Sequence, residues 1–116
     1  MKRLLIRLLF VAGLVSSDTA LAGDCGFPPA DPPPVPEGAS TDRESMDAGV
    51  RAVRDYSTRM NAYFDCLQLR RDEWFYNMNR DQQARWIEDF NEIVDHLTEI
   101  ETEMNKQIRA FNDRPA

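Results

Sequence analysis

From Met46 to Phe111, apolar residues recur at alternating intervals of three and four positions, the spacing of helices that pack along a coiled-coil-like seam. The first seam contains Met46, Val50, Val53, Met60, Phe64, Leu67, Trp74 and Met78, and its two gaps are filled by Ser57 and Arg71. The second seam contains Ile87, Phe90, Val94, Leu97, Met104, Ile108 and Phe111, is interrupted by Glu101, and is widened by Trp86, Ile93 and Ile100. Each seam predicts one long amphipathic helix.

The two seams are out of phase with each other, which predicts a turn between them. Continuing the first heptad beyond Met78 would place Asp81, Arg85 and Glu88 on the apolar stripe. The segment 77–81 contains two asparagines and an aspartate, residue types that favour turns and helix caps. The chain is therefore expected to fold back on itself in this segment.

The first helix has a recognisable beginning. The run Thr41-Asp42-Arg43-Glu44 fits a capping box with Thr41 as the N-cap. From there to Arg114 the chain contains one glycine and no proline, so little interrupts the helices. We predict an all-α fold, an antiparallel two-helix, coiled-coil-like hairpin over residues 41–114. Its parts are a helix at 41–77, a turn at 78–81 and a helix at 82–113.

A short turn also fixes which residues of the two helices face each other. If the numbers of facing residues sum to about 161, the seam positions alternate as an antiparallel pair requires. The facing pairs then include Phe64 with Leu97, Val53 with Ile108, Val50 with Phe111 and Trp74 with Ile87. In this register Glu101 lies on the seam, opposite Met60.

Residues 1–22 have the pattern of a signal peptide. Lys2, Arg3 and Arg7 precede an apolar run at 8–15, and Ala20-Leu21-Ala22 gives the small-x-small motif of a cleavage site. The apolar run is too short to span a bilayer. We predict cleavage before Gly23, a periplasmic or secreted location, and no membrane span after cleavage.

The charge of the chain excludes one class of partner. The leader holds three Lys or Arg residues and one aspartate, so the 94 residues of the expected mature chain carry a net charge of −8, against −6 for the whole chain. Such a charge repels nucleic acid and anionic lipid. Nucleic acid is therefore not expected as a partner.

Two cysteines, Cys25 and Cys66, remain after the expected cleavage. An even count in an oxidising compartment predicts a disulfide between them. The alternatives are a pair of free thiols and bridges between two chains.

A proline-rich arm, residues 23–40, follows the cleavage site. Cys66 lies about 37 Å along the first helix, and the arm, extended as polyproline II from Cys25 to Thr41, spans at most about 50 Å. The arm can therefore reach Cys66 with little slack. We predict that it runs back along the outside of the first helix. The track that it would cross consists of Cys66, Tyr63, Tyr56, Ala52 and Gly49.

Several short motifs carry a resemblance to other sequences. They are the prolines after Cys25, Val35-Pro36-Glu37-Gly38, the spacing from Tyr63 to Cys66-Leu67, and the stretch from Met104 to Phe111. With these motifs, the chain resembles an uncharacterised family of small exported bacterial helical-hairpin proteins with a Pro-rich Cys segment and a Tyr-x-x-Cys-Leu helix. The resemblance covers most of the expected mature chain and implies an exported helical protein. It implies no activity.

Few residues offer chemistry. His96 is the sole histidine, and it is flanked at helical spacing by Glu92, Glu99 and Glu103, so this face is a candidate for a divalent cation. Residues 88–103 hold seven acids and no Lys or Arg, a pattern that favours solubility and also suits a basic partner. No nucleophile and base can be assembled around one histidine, so we predict no enzyme, no catalytic residues and no cofactor.

These observations favour a non-enzymatic exported, periplasmic helical protein that acts through protein–protein contact with an unknown protein partner. A homodimer is one way to bury the wide apolar stripe, since a lone pair of helices cannot cover it. Four aromatic residues gather near the expected turn: Trp74, Phe75, Tyr76 and Trp86. The alternative function is that of a periplasmic holdase-like or divalent-cation-binding protein.

Overall fold

A computed structural model describes residues 25–115 of the chain, and this part forms an all-α antiparallel hairpin with an N-terminal arm. Helix α1 spans Arg43–Trp74, a short 3₁₀ turn spans Phe75–Asn77, and helix α2 spans Arg80–Asn112. The predicted fold class is confirmed. The expected signal peptide, residues 1–22, lies outside the described residues.

Helix α1 is capped by Asp42, and the prediction of Thr41 as the N-cap is wrong. The Ser45 amide donates a hydrogen bond of 2.7 Å to Asp42 Oδ1, which satisfies one of the free amides of the first turn. The Thr41 carbonyl instead accepts a 2.6 Å hydrogen bond from the Arg114 guanidinium. The helix therefore begins two residues later than predicted. Arg114, after the end of α2, is hydrogen-bonded to Thr41, just before the start of α1.

The Asp42 cap gives the protein a pH-dependent contribution to stability. The hydrogen bond from the Ser45 amide lowers the pKa of the Asp42 carboxyl below its ordinary value. Because the folded-state pKa is lowered, this stabilisation is fully present above about pH 4 and is lost as the pH falls through the folded-state pKa.

We expect Asp42→Asn to remove this pH dependence, because asparagine caps a helix equally well without a charge. The wild-type protein should therefore lose stability relative to this variant as the pH falls from about 5 to about 2. Urea unfolding followed by circular dichroism at several pH values measures this loss. A difference in free energy of unfolding that stays constant over this range would contradict the assigned cap.

The turn between the helices is closed by Asn79. Its side chain accepts from the Gln82 amide at 2.8 Å, and the Gln82 side chain accepts from the Asn79 amide at 3.0 Å, which makes a reciprocal capping box. Gln83 donates a further hydrogen bond of 2.8 Å to the Phe75 carbonyl. The chain therefore turns at residues 75–79, earlier than the predicted 78–81, because Asn79 caps α2. Helix α1 ends at Trp74 instead of 77, and α2 spans Arg80–Asn112 instead of 82–113.

The two helices meet through two apolar clusters. The first consists of the buried residues Tyr56, Met60, Phe64 and Leu97, with Tyr63, Phe90, Ile93, Val94 and Ile100 packed against them. The second consists of Met46, Val53 and Met104, with Val35, Val50, Ile100, Ile108 and Phe111 packed against them. Phe64 and Leu97 share the first cluster, and the second contains Val50, Val53, Ile108 and Phe111, which agrees with the predicted register.

Three seam positions differ from the prediction. Glu101 is exposed, and Ile100 contacts both clusters in its place. Trp74, predicted to face Ile87 inside the hairpin, has 57% of its surface exposed, and Ile87 has 42% exposed. Phe75 occupies the inner position instead, with its ring 6.1 Å from that of Trp86.

Candidate functional site

The arm is fastened at its beginning by the disulfide between Cys25 and Cys66, whose Cα atoms lie 5.6 Å apart. This pairing is the one predicted, and no cysteine within residues 25–115 remains free. Tyr63, one turn before Cys66, is half-buried against the first cluster. Its burial raises the pKa of its phenol above the ordinary value. The disulfide thus holds the beginning of the arm against the C-terminal third of α1.

The end of the arm is fastened by contacts with both helices. The Pro36 ring lies directly over Gly49 of α1, in space that a Cβ at Gly49 would fill. Gly38 is buried against the backbone of α2 at Gln107, and its amide donates a hydrogen bond of 2.8 Å to Gln107 Oε1. Val35 packs against the second cluster. The arm therefore supplies part of the apolar cover that two helices alone lack.

The path of the arm agrees with the prediction at two points of the expected track and differs at two others. The disulfide to Cys66 and the contact of Pro36 with Gly49 lie on that track. The arm was expected to follow the outside of α1 over a track that includes Tyr56 and Ala52. Tyr56 instead belongs to the core between the helices and is 2% exposed, while Ala52 faces solvent. The arm is also not a straight polyproline rod, because Gly26 and Asp31 have positive φ angles of 72° and 59°. It crosses from α1 to α2 as a third layer.

A groove of about 1090 Å³ lies between the arm and α2. One wall is made of Pro28, Pro29 and Pro32. The partly exposed apolar side chains of the floor are Ile87 and Ile93 of α2, next to Tyr56 and Met60 of α1, which are only 2% and 1% exposed. The opposite wall is the stretch of α2 from Ala84 to Glu99. Since the arm is fastened on both sides of these prolines, this wall is held in place. The groove is the candidate functional site.

The α2 wall of the groove is acidic. Glu88, Glu92, Asp95 and Glu99 line it at helical spacing and form one stripe about 16 Å long. The ion pairs that the structure shows within residues 25–115 join Arg43 to Asp47, Arg59 to Asp55 and Arg70 to Glu73. All three lie on α1, so they leave the charge of this stripe uncompensated. The groove combines an apolar floor with a negative rim.

His96 also lines the groove, together with two of its predicted companions, Glu92 and Glu99. The third, Glu103, instead accepts a hydrogen bond of 2.7 Å from the Gln107 side chain. In the described part of the chain, no three His, Cys, Asp or Glu side chains come close enough to hold a metal ion. The carboxylates therefore form a charged rim without forming a chelating centre.

The aromatic residues near the turn divide into a packed group and an exposed group. Trp86 stacks on Phe90 with ring centroids 5.1 Å apart, and Arg71 lies over the Phe75 ring at 5.0 Å. Tyr76 is 87% exposed, and Trp74 is exposed as described above. The packed rings stabilise the turn, and the exposed ones remain accessible to solvent.

The prolines that form one wall of the groove were not identified from the sequence. Nothing local to Pro28, Pro29 and Pro32 marks them as a wall, because their position depends on the path of the arm. The surplus apolar column of the hairpin was the available signal, since it required cover along both helices. The acidic stripe, by contrast, is readable from the sequence.

Comparison of this chain with known protein families, curated proteins and solved structures gives no match. The resemblance stated above therefore stays a prediction. Between residues 25 and 115, neither helix combines the length and apolar character needed to cross a membrane.

Proposed function

We propose that this chain is a non-enzymatic, exported protein of the periplasm or the extracellular space that acts through contact with another protein. The observation that carries the proposal is the groove, whose proline wall is fixed by the disulfide and by the packing of Pro36 and Gly38. A preformed groove binds without first having to order the loops that line it.

The chemistry of the groove supports binding over catalysis. Among the residues that line it, His96 is accompanied by carboxylates, an amide, prolines and apolar groups, and by no serine, threonine, cysteine or lysine. Such a set provides charge and apolar area but no activated nucleophile. The Cys25–Cys66 disulfide supports the export that the leader pattern predicts, since disulfides persist in oxidising compartments.

Crosslinking in living cells tests this function. Cells that produce the full chain are treated with formaldehyde, and adducts are separated on denaturing gels and identified by mass spectrometry. We expect a few discrete adducts with a second protein. The matched control is the chain without residues 1–22, which stays in the compartment of synthesis and should lose these adducts.

The outcomes separate the forms that a contact function can take. Adducts at multiples of the chain's own mass indicate a homodimer. Only monomer, at crosslinker levels that capture known complexes, would contradict a contact function.

A holdase-like role is the second candidate, favoured by the exposed side chains of Tyr76, Trp74 and Leu69, of which Leu69 is 66% exposed. Exposed apolar side chains can contact the apolar segments that unfolded chains expose. It predicts a continuous smear of adducts in the same gel, whereas a dedicated partner predicts discrete bands.

A further inference from the structure

We propose that the groove binds a cationic amphipathic helix of the partner protein, with its apolar face on the floor and its Lys or Arg side chains along the acidic stripe. This inference rests on the proposed contact function and names the chemistry of the partner. The stripe consists of Glu88, Glu92, Asp95 and Glu99.

Charge selects the class of occupant. The stripe places four carboxylates along about 16 Å of one helix face, and the groove lining contains no Lys or Arg to neutralise them. A basic helix can place a Lys or Arg side chain beside the carboxylates on each of its turns. The same electrostatic attraction also speeds its association with the groove. A second copy of this chain is a poor occupant, because the expected mature chain carries a net charge of −8. Nucleic acid is repelled for the same reason.

The proline wall selects the backbone form of the occupant. An extended peptide that added itself to the arm would need amide donors from the arm, and Pro28, Pro29 and Pro32 have none. A helix satisfies its own backbone hydrogen bonds and needs only side-chain contacts from the groove. The geometry therefore favours the helix-in-groove mode of recognition.

The floor explains why the occupant must be amphipathic. Ile87, which is 42% exposed, and the half-buried Ile93 are the apolar side chains of α2 that line the groove. A helix with basic residues all round would place charges against these side chains at a desolvation cost. A helix with one apolar face covers them and keeps its charges at the rim.

Fluorescence anisotropy with designed peptides tests the proposal on the oxidised full chain. The probe is a peptide of about 18 residues, roughly 27 Å as a helix, built from leucine and lysine in an amphipathic pattern. One comparison peptide has glutamate in place of lysine, and another has the same leucines and lysines in scrambled order. We expect the probe to bind, the glutamate peptide not to bind, and the scrambled peptide to bind about tenfold more weakly. Raising the salt concentration from about 50 mM to about 500 mM should lower the affinity for the probe, because salt screens the charges.

Two triple variants locate the site. The first triple variant, Glu88→Gln, Glu92→Gln and Glu99→Gln, should bind the probe about tenfold more weakly than the wild-type protein. This is the effect of losing several exposed charge pairs. The matched control is Asp72→Asn, Asp89→Asn and Glu101→Gln, which removes the same charge from exposed positions of the two helices outside the groove. The control should keep the affinity within about twofold. All these positions are exposed, so both variants should fold, and circular dichroism checks this.

Each result decides the inference. Equal weakening by the two triple variants would mean that the net charge attracts the peptide, and equal binding of the Lys and Glu peptides would mean that apolar contact alone suffices. Either result, or no binding of the probe, overturns the proposal. If the probe does not bind while cells still yield discrete adducts, the groove is not the contact site and the proposed contact function stands. If the probe binds as expected while cells yield no adduct, the contact function is what fails.

Discussion

The double variant Cys25→Ser/Cys66→Ser should unfold with a free energy about 4 kcal/mol below that of the oxidised protein. The disulfide closes a loop between residues 41 positions apart, and the unfolded chain without it regains the corresponding freedom. A domain of this size has a total stability of only about 5–15 kcal/mol. The melting temperature should therefore fall by about 15–30 °C. Urea and thermal unfolding followed by circular dichroism measure both quantities.

The reduced wild-type protein is the control for this experiment. If the loss comes from the crosslink, the reduced protein and the double serine variant should unfold at the same denaturant concentration. A serine variant as stable as the oxidised protein would show that the arm is held by its C-terminal contacts alone. That result would contradict the role of the disulfide as the fastener of the proline wall.

The parts of the fold that depend on local patterns were predictable from the sequence. The interval of three and four positions gives both helices, and the asparagines before Arg80 give the turn. The cysteine count gives the disulfide, because only one intramolecular pairing exists. These features need no knowledge of what packs against what.

The errors on the seam have a physical cause. An α-helix has 3.6 residues per turn, so a strict seven-residue repeat drifts by about 20° with each heptad along a straight helix. At the end of α1 this drift replaces Trp74 by its neighbour Phe75 on the inner face. In α2, Ile100 and Glu101 flank the same seam position, and the apolar side chain takes the buried side.

The candidate site was less predictable than the helices. The sequence shows that the arm can reach Cys66, but the tether alone is compatible with a path outside α1 or between the helices. The choice depends on contacts distant in sequence, in particular those of Val35 and Gly38 with α2 and its neighbours. Because the proline wall follows the arm, the groove could be recognised only once that path was known.

Gly38→Ala should lower the free energy of unfolding by about 3 kcal/mol, because it forces the end of the arm away from α2. A Cβ at Gly38 would overlap the Gln107 carbonyl and lie 2.8 Å from the Phe111 amide nitrogen, and both are backbone atoms of a helix that cannot give way. The displaced arm also loses the hydrogen bond from the Gly38 amide to Gln107 Oε1. Urea unfolding measures the change.

Gly26→Ala is the matched control for this prediction, since it adds the same methyl group at the other end of the arm. Gly26 has a φ angle of 72°, and nothing lies within 4 Å of a Cβ built there, so alanine costs only the backbone strain of about 1 kcal/mol. If the disulfide and Gly38 fasten the same arm, Gly38→Ala should lower the free energy of unfolding by less in the double serine background than in the wild-type protein. An arm that is free at its beginning can move away from α2 with less strain. Equal costs for Gly38→Ala and Gly26→Ala would mean that the arm does not pack on α2, and the groove would then lack its proline wall.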